Sequence, residues 1–218
     1  MVEPRPFRAV LWDFGGVILT SPFEAFARYE RDRSLPQGFL RSVNATDPDT
    51  NAWARLERSD IDAAEFDRCF ADESERLGHR VPGSDVLALL AGDVRPTMVD
   101  LLDRVIAAGY LTACLTNNVR RPASSGAREQ LVESVMARFD IVVESSEIGV
   151  RKPEPRFYEI ACERLGVAPD DCVFLDDLGI NLKPAAAMGM HTIKVLDAPQ
   201  AIADVEHALG WRPAASPR

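Results

Sequence analysis

The 218-residue chain has no apolar run near the roughly 20 residues that cross a bilayer. Its first residues, MVEPRPFR, are polar and proline-containing and carry no apolar signal segment. The expectation is a soluble, cytoplasmic protein without a membrane partner. Positive charge is also short. Lys and Arg number 25 against 34 Asp and Glu, a formal net charge of −9. Such a chain has no bulk electrostatic footprint for nucleic acid, so no nucleic-acid partner is expected. A local site can still be positive enough for a small anion.

Cysteine is scarce and shows no CxxC spacing. Cys69, Cys114, Cys162 and Cys172 lie in apolar or amphipathic runs. They read as small buried hydrophobes, not as a zinc site or a disulfide framework. His79, His191 and His207 are isolated and have no ligand spacing. No feature of the sequence specifies an oligomeric state.

What is present is ordinary globular material, 46% hydrophobic and 27% charged. Short apolar runs at 9–13, 111–116, 141–143, 172–177 and 191–195 read as strands. Between them apolar residues recur at helical spacing. One set is Met98, Leu101, Leu102, Val105 and Ile106, with Gly109 as the stop. Another runs from Leu131 to Phe139, and a third from Phe157 to Leu165 before Gly166. Ala185–Met188 reads as a short helix and 198–209 as a last one. Strands alternating with helices predict an α/β fold, a doubly wound, Rossmann-like parallel sheet.

Residues 20–95 break the alternation. They contain no convincing strand and carry helical patterns near 23–27, 50–58 and 66–77. The predicted organisation is an α/β core of 1–19 and 94–218 with a helical cap, 20–93, inserted after the first strand. Trp12 reads as core. Phe23, Phe26 and Trp53 fit cap packing or the rim of a substrate entrance, packing being the plainer reading. The charge-dense run 55–76 reads as a solvated helix face. RRPASSGA at 120–127 reads as a polar surface loop, and the tail RPAASPR is expected to fray.

Ligands of open α/β sheets bind at the carboxyl ends of the strands. That rule gathers scattered residues. Asp13 ends the first strand, Thr116 and Asn117 the second, Asp176 and Asp177 the fourth, and Lys152 follows the third. Three carboxylates facing one cleft need a cation among them, and magnesium suits such oxygen ligands. Lys152 adds a fixed positive charge. Thr116 and Asn117 add donors for anionic oxygens, and Gly15 and Gly16 allow close approach of the backbone. The set describes a phosphoryl-transfer site with Asp13 as nucleophile.

The ordered motifs DxGG (13–16), TNN (116–118), KPEP (152–155) and LDDxGxN (175–181) resemble the haloacid dehalogenase superfamily of hydrolases. More narrowly, 142–166 and 173–190 resemble the phosphatase domain at the N-terminus of soluble epoxide hydrolase. The resemblance implies that Asp13 is nucleophile and metal ligand, and that position 15 offers its carbonyl to Mg2+. It implies phosphate binding by Thr116 and Asn117, charge balance by Lys152 and metal ligation by Asp177. Asp176 takes a supporting acid role. Asn181 falls where the family orients the metal site, and serves equally well as a helix cap.

One position departs. Phosphatases of this superfamily usually place a second aspartate two residues after the nucleophile, where it protonates the leaving alcohol and then deprotonates water. Here that residue is Gly15. General acid–base catalysis is worth about 10²- to 10⁴-fold, so turnover suffers unless another group substitutes. The expected function is a magnesium-dependent phosphatase of a small phosphate monoester. A metal-independent 2-haloacid dehalogenase is the alternative within enzymes. A catalytically weak domain binding a phosphorylated ligand or a partner is the alternative outside them. The cap's composition selects neither a sugar phosphate nor a lipid phosphate.

Overall fold

A computed structural model describes residues 7–118 and 126–211. The loop at 120–127, apart from Gly126 and Ala127, and the tail 212–218 lie outside the described residues. Strand β1, Ala9–Trp12, is buried on both faces. A run of four apolar residues with no polar alternation belongs in the middle of a parallel sheet, and β1 sits there. Its neighbours are β2 (Leu111–Thr116) and β4 (Cys172–Asp176). Outside them lie β3 (Ile141–Glu144) and β5 (His191–Lys194), giving the order β3-β2-β1-β4-β5. All four pairings are parallel, with Trp12 level with Cys114 on one side and Leu175 on the other. This is the expected α/β, Rossmann-like sheet.

Alternate residues of β1 feed two cores. Val10 and Trp12 pack with Met98 and Leu102 of α6 (Pro96–Ala107) and with Ala201 and Val205 of α11 (Ala198–Ala208). Ala9 and Leu11 pack with Phe157 and Tyr158 of α9 (Pro155–Leu165) and Ala185 of α10 (Gly179–Ala187). The order reverses at β1, since the chain goes to β2 and β3 on one side and to β4 and β5 on the other. That switch point opens a crevice at the strand ends.

Between β1 and α6 lie five helices: α1 (Phe23–Asp32), α2 (Phe39–Ala45), α3 (Ala52–Glu57), α4 (Ala63–Arg76) and α5 (Gly83–Ala88). They share an apolar cluster of their own, including Phe26, Phe39, Phe66 and Phe70. Two adjacent crossings join this layer to the sheet. Thr20 N–H donates to Asp93 O (2.8 Å), and Arg95 N–H to Ile18 O (2.9 Å). Helix starts are set by side chains. Asn51 accepts from Ala54 N–H (2.9 Å) and Asp62 from Glu65 N–H (2.7 Å). Buried Glu30 accepts from Gly38 and Leu40 N–H, fixing the start of α2. No helix among the described residues is long and apolar enough to cross a membrane.

Several local expectations are corrected. Helix α10 begins at Gly179, not Ala185, and runs through Pro184. Its first turn is held from outside, by Asp176 accepting from Leu178 N–H (2.8 Å) and by Tyr158 donating to Asn181 O (2.6 Å). Helix α7 spans Ala127–Met136, ahead of the predicted 131–139. The short helices α2, α5 and α8 (Ser145–Ile148) had no clear periodic signal. Cys114, Cys162 and Cys172 are buried, Cys69 half-buried, and all four are free thiols. The run 55–76 is solvated only in part, because Glu57 turns inward and is 5% exposed.

Candidate active site

Asp13 sits where β1 stops. Its N–H donates to Leu175 O (2.8 Å), keeping it level with the end of β4. Its Oδ1 accepts from Phe14 N–H (2.6 Å) and from Lys152 Nζ (2.8 Å). Among the described residues no donor reaches Oδ2. Lys152 is 1% exposed, and its Nζ also reaches Asp176 Oδ2 at 2.8 Å. Asp176 accepts besides from Leu178 N–H and from Asn181 Nδ2, which lies 3.1 Å from each oxygen. Asp176 is thus surrounded by protein donors, and Asn181 with Asp176 fixes the lysine.

Asp177 is half-buried and faces Gly16. A Cβ on Gly16 would lie 2.2 Å from Asp177 Oδ2, and φ there is +76°. Glycine at 16 is therefore required twice, by conformation and by the close approach of the carboxylate. Gly15 differs. Its φ of −71° and ψ of 130° suit any residue, and nothing lies within 4 Å of its would-be Cβ. The backbone does not explain why position 15 carries no side chain.

One carboxylate oxygen each from Asp13, Asp176 and Asp177 fall within 4.8 Å of one another. Three acids share one lysine. Burial pushes Asp13 up to about 8, with Asp176 and Asp177 adding to the rise and Lys152 opposing it. Burial and Asp176 push Asp177 up to about 6. Burial works against the charge on Lys152, but Asp13 and Asp176 outweigh it and hold its pKa above the ordinary lysine value. The three carboxylates converge on the Lys152 ammonium, and the donors they offer are hard oxygens. That combination fits a divalent cation of the magnesium type.

Thr116, at the end of β2, is buried at the same cleft, and its hydroxyl has no protein partner among the described residues. Asn117 is committed to the protein. Its Oδ1 accepts from Lys152 N–H (2.8 Å), and its Nδ2 donates to Lys152 O (2.9 Å) and to Glu57 Oε2 (3.2 Å). Asn118 ties the end of β2 to Glu144 and Ser145.

Above these residues lies a cavity of about 540 Å³ between the strand ends and the helical layer. Its floor is charged. Its lining away from the floor is largely apolar, with Phe23, Phe26, Trp53 and Leu90 from the helical layer and Val132 and Met136 from α7, and it includes Arg41 and Arg128. The aromatics at 23, 26 and 53 both pack the cap cluster and line the cavity. Two residues were absent from the sequence-derived set. Glu57, the last residue of α3, accepts from Arg151 Nε at 2.5 Å, from Asn117, and from Trp53 Nε1 at 2.9 Å. Arg151 also donates to Pro48 O (3.0 Å). Around them Arg58 pairs with Glu154 (2.8 Å) and Ser59 Oγ donates to Ser146 O (3.0 Å), seating α3 on the loop that carries Lys152. Arg151 neighbours Lys152 in sequence, the one signal that could have found it. Glu57 had none, since it lies in a run of charges.

A parallel α/β sheet whose first strand delivers an aspartate to a lysine and a carboxylate pair is the framework of a hydrolase. The chain belongs to the haloacid dehalogenase-like hydrolase family, whose model matches residues 7–189. Among curated proteins it is similar to acyl-CoA dehydrogenase family member 10 of Mus musculus, 35% identical over 95% of this chain and 20% of that protein. It is similar to bifunctional epoxide hydrolase 2 of Sus scrofa, 30% identical over 93% of this chain and 39% of that protein. The chain thus spans well under half the length of both. A solved structure of similar fold is a haloacid dehalogenase family enzyme from Bacteroides thetaiotaomicron, in complex with magnesium and inorganic phosphate. Its TM-score is 0.57 at 22% identity, over 86% of this chain and 93% of that one.

Proposed function

We propose that this hydrolase is a magnesium-dependent phosphatase of a small phosphate monoester with an apolar body. The observation that carries the reading is the set Asp13, Asp176 and Asp177 closing on Lys152, three carboxylates around one ammonium. Asp13, the Gly15 carbonyl and Asp177 would hold Mg2+, which supplies charge neutralisation to the phosphoryl oxygens when bound. The Asp13 carboxylate attacks phosphorus in line, the ester oxygen leaves, and water then hydrolyses the aspartyl-phosphate. Lys152 compensates the charge of the nucleophile and the phosphate, with Asp176 and Asn181 fixing its ammonium. The Thr116 hydroxyl faces the phosphate, and Asn117 holds the Lys152 loop in place.

The five-helix layer acts as a cap of 20–93 over a core of 1–19 and 94–218, shielding the site from bulk water. The largely apolar lining supports a substrate whose organic part is hydrocarbon-like. The test is hydrolysis of an aryl and an alkyl phosphate with Mg2+ or with chelator, beside Asp13→Asn. Turnover that needs Mg2+ and vanishes in Asp13→Asn is expected. Gly15 motivates a second reading, displacement at carbon by the same Asp13. Chelator-insensitive turnover of a 2-haloacid, with none of either ester, would replace the phosphatase.

A further inference from the structure

We infer that Glu57, carried by α3 of the helical layer, is the acid–base group of this site and does the work that position 15 lacks a side chain to do. The inference rests on the phosphatase reading. Elimination comes first. Among the described residues, the acidic ones lining the cavity are Asp13, Asp49, Glu57 and Asp177. Asp13 is the nucleophile and Asp177 faces the cation. Asp49 is exposed at the rim. Glu57 alone is buried and uncommitted to either role.

Geometry comes second. Glu57 is one hydrogen bond from Asn117, which is itself paired on both backbone polar groups of Lys152. The carboxyl and the side chains of Asp13 and Thr116 line the same cavity, with Glu57 entering it from the helical layer. Arg151 and Asn117 converge on Oε2. Among the described residues Oε1 accepts only from the Trp53 indole, which leaves that oxygen a lone pair to carry a proton. Gly15 lines the same cavity, and nothing lies within 4 Å of the Cβ a residue there would carry.

Electrostatics are consistent with this. Burial pushes the Glu57 carboxyl up, with Arg151 and Lys152 pulling the other way. The neighbouring Arg58–Glu154 pair faces the same helix end and compensates itself. A phosphate dianion arriving beside Thr116 adds negative charge and raises the proton affinity of Glu57 further.

The proton balance closes. As Asp13 bonds to phosphorus, the P–O ester bond breaks and the Glu57 proton passes to the departing oxygen, giving the alcohol and a Glu57 carboxylate. Water then attacks the aspartyl-phosphate. Glu57 takes its proton, the bond to Asp13 breaks, and inorganic phosphate is released with Asp13 restored. Because Glu57 rides on α3, the acid is in place only while the cap is seated through Arg58–Glu154 and Ser59–Ser146.

The experiment compares wild type, Glu57→Gln, Gly15→Asp and the double variant on one aryl and one alkyl phosphate in Mg2+, across pH. General acid catalysis of about 10²- to 10⁴-fold sets the scale. Glu57→Gln should slow formation of the aspartyl-phosphate about 10²-fold or more on the alkyl ester, and about tenfold or less on the aryl ester, whose leaving group needs no proton. It should lose the basic limb of the alkyl pH profile and accumulate the aspartyl-phosphate on the aryl ester. Gly15→Asp should restore alkyl turnover in the Glu57→Gln background. Equal losses on both esters, an unchanged pH profile and no rescue would overturn the inference and leave Glu57 as a brace for Asn117 and Arg151. If Glu57→Gln does not fold, the wild-type profiles decide: a basic limb on the alkyl ester that the aryl ester lacks is expected, and identical profiles overturn the assignment. Wild type inactive on both esters sinks the phosphatase reading itself, a separate result.

Discussion

Lys152 lies between Asp13 and Asp176 and pairs with both at 2.8 Å. Replacing Lys152 by Met should abolish turnover and destabilise the fold by about 3–5 kcal/mol, the penalty of orphaning buried partners of an ion pair. Chemical denaturation checks the second figure. Magnesium should recover part of that loss by replacing the missing charge. Gly16→Ala tests another contact. Its Cβ would displace the Asp177 carboxylate, so the apparent Mg2+ affinity should fall about tenfold or more while the sheet stays intact. A magnesium titration of activity, with circular dichroism alongside, reads both. Asp13, Lys152, Asp176 and Asp177 were legible in the sequence because each stands next to an apolar strand end or inside a compact motif. Glu57 was not. Its neighbour Arg55 does face outward as the charge pattern suggests, Arg58 turns to Glu154, and the packing of α3 against the Lys152 loop brings Glu57 inside.

At the scale of elements, α3 is the joint between layer and site. It is six residues long and too short to stand alone. Asn51 starts it and also donates to Asn44 O (3.0 Å) and Thr46 O (2.9 Å), binding α3 to the end of α2. Asn51→Ala should cost about 1–2 kcal/mol in stability. It should also lower kcat on an alkyl phosphate more than on an aryl phosphate, because α3 carries Glu57 while Asp13 and Lys152 stay. The sheet was legible because its strands are short apolar runs with polar punctuation. Short helices such as α2 and α5 were not, since their starts depend on remote groups, Glu30 for α2 and Asp67, which accepts from Ser84 N–H, for α5. The start of α10 was misplaced for the same reason. Pro184 signalled a boundary, and contacts from Asp176 and Tyr158 overrode it.

At the scale of the molecule, acidity and metal are linked. Asp13 and Asp177, pushed to about 8 and about 6, lie above the roughly 4 of an unfolded aspartate. Between those values the folded, metal-free chain binds more protons than the unfolded chain, so its stability falls as pH rises from about 4 to 8. Lys152, held above its ordinary value, stays charged throughout that window. Magnesium must displace the protons, so the gain in Tm on adding Mg2+ should grow steadily from pH 5 to pH 8. A gain independent of pH would place the cation elsewhere. The apolar wall makes a second expectation. Lengthening the alkyl chain of a phosphate monoester should raise kcat/KM by up to about fourfold per CH2, from roughly 0.8 kcal/mol each, until the cavity is filled.

The central claim is that Asp13 becomes phosphorylated with Mg2+ present, and it can be observed directly. The enzyme is mixed with an aryl phosphate in Mg2+, quenched in acid within a turnover, digested and examined by mass spectrometry. A single phosphoryl group on Asp13, absent with chelator and absent in Asp13→Asn, is the expected result. Turnover in Mg2+ with Asp13 unmodified, or with the phosphoryl group on another residue, would contradict it.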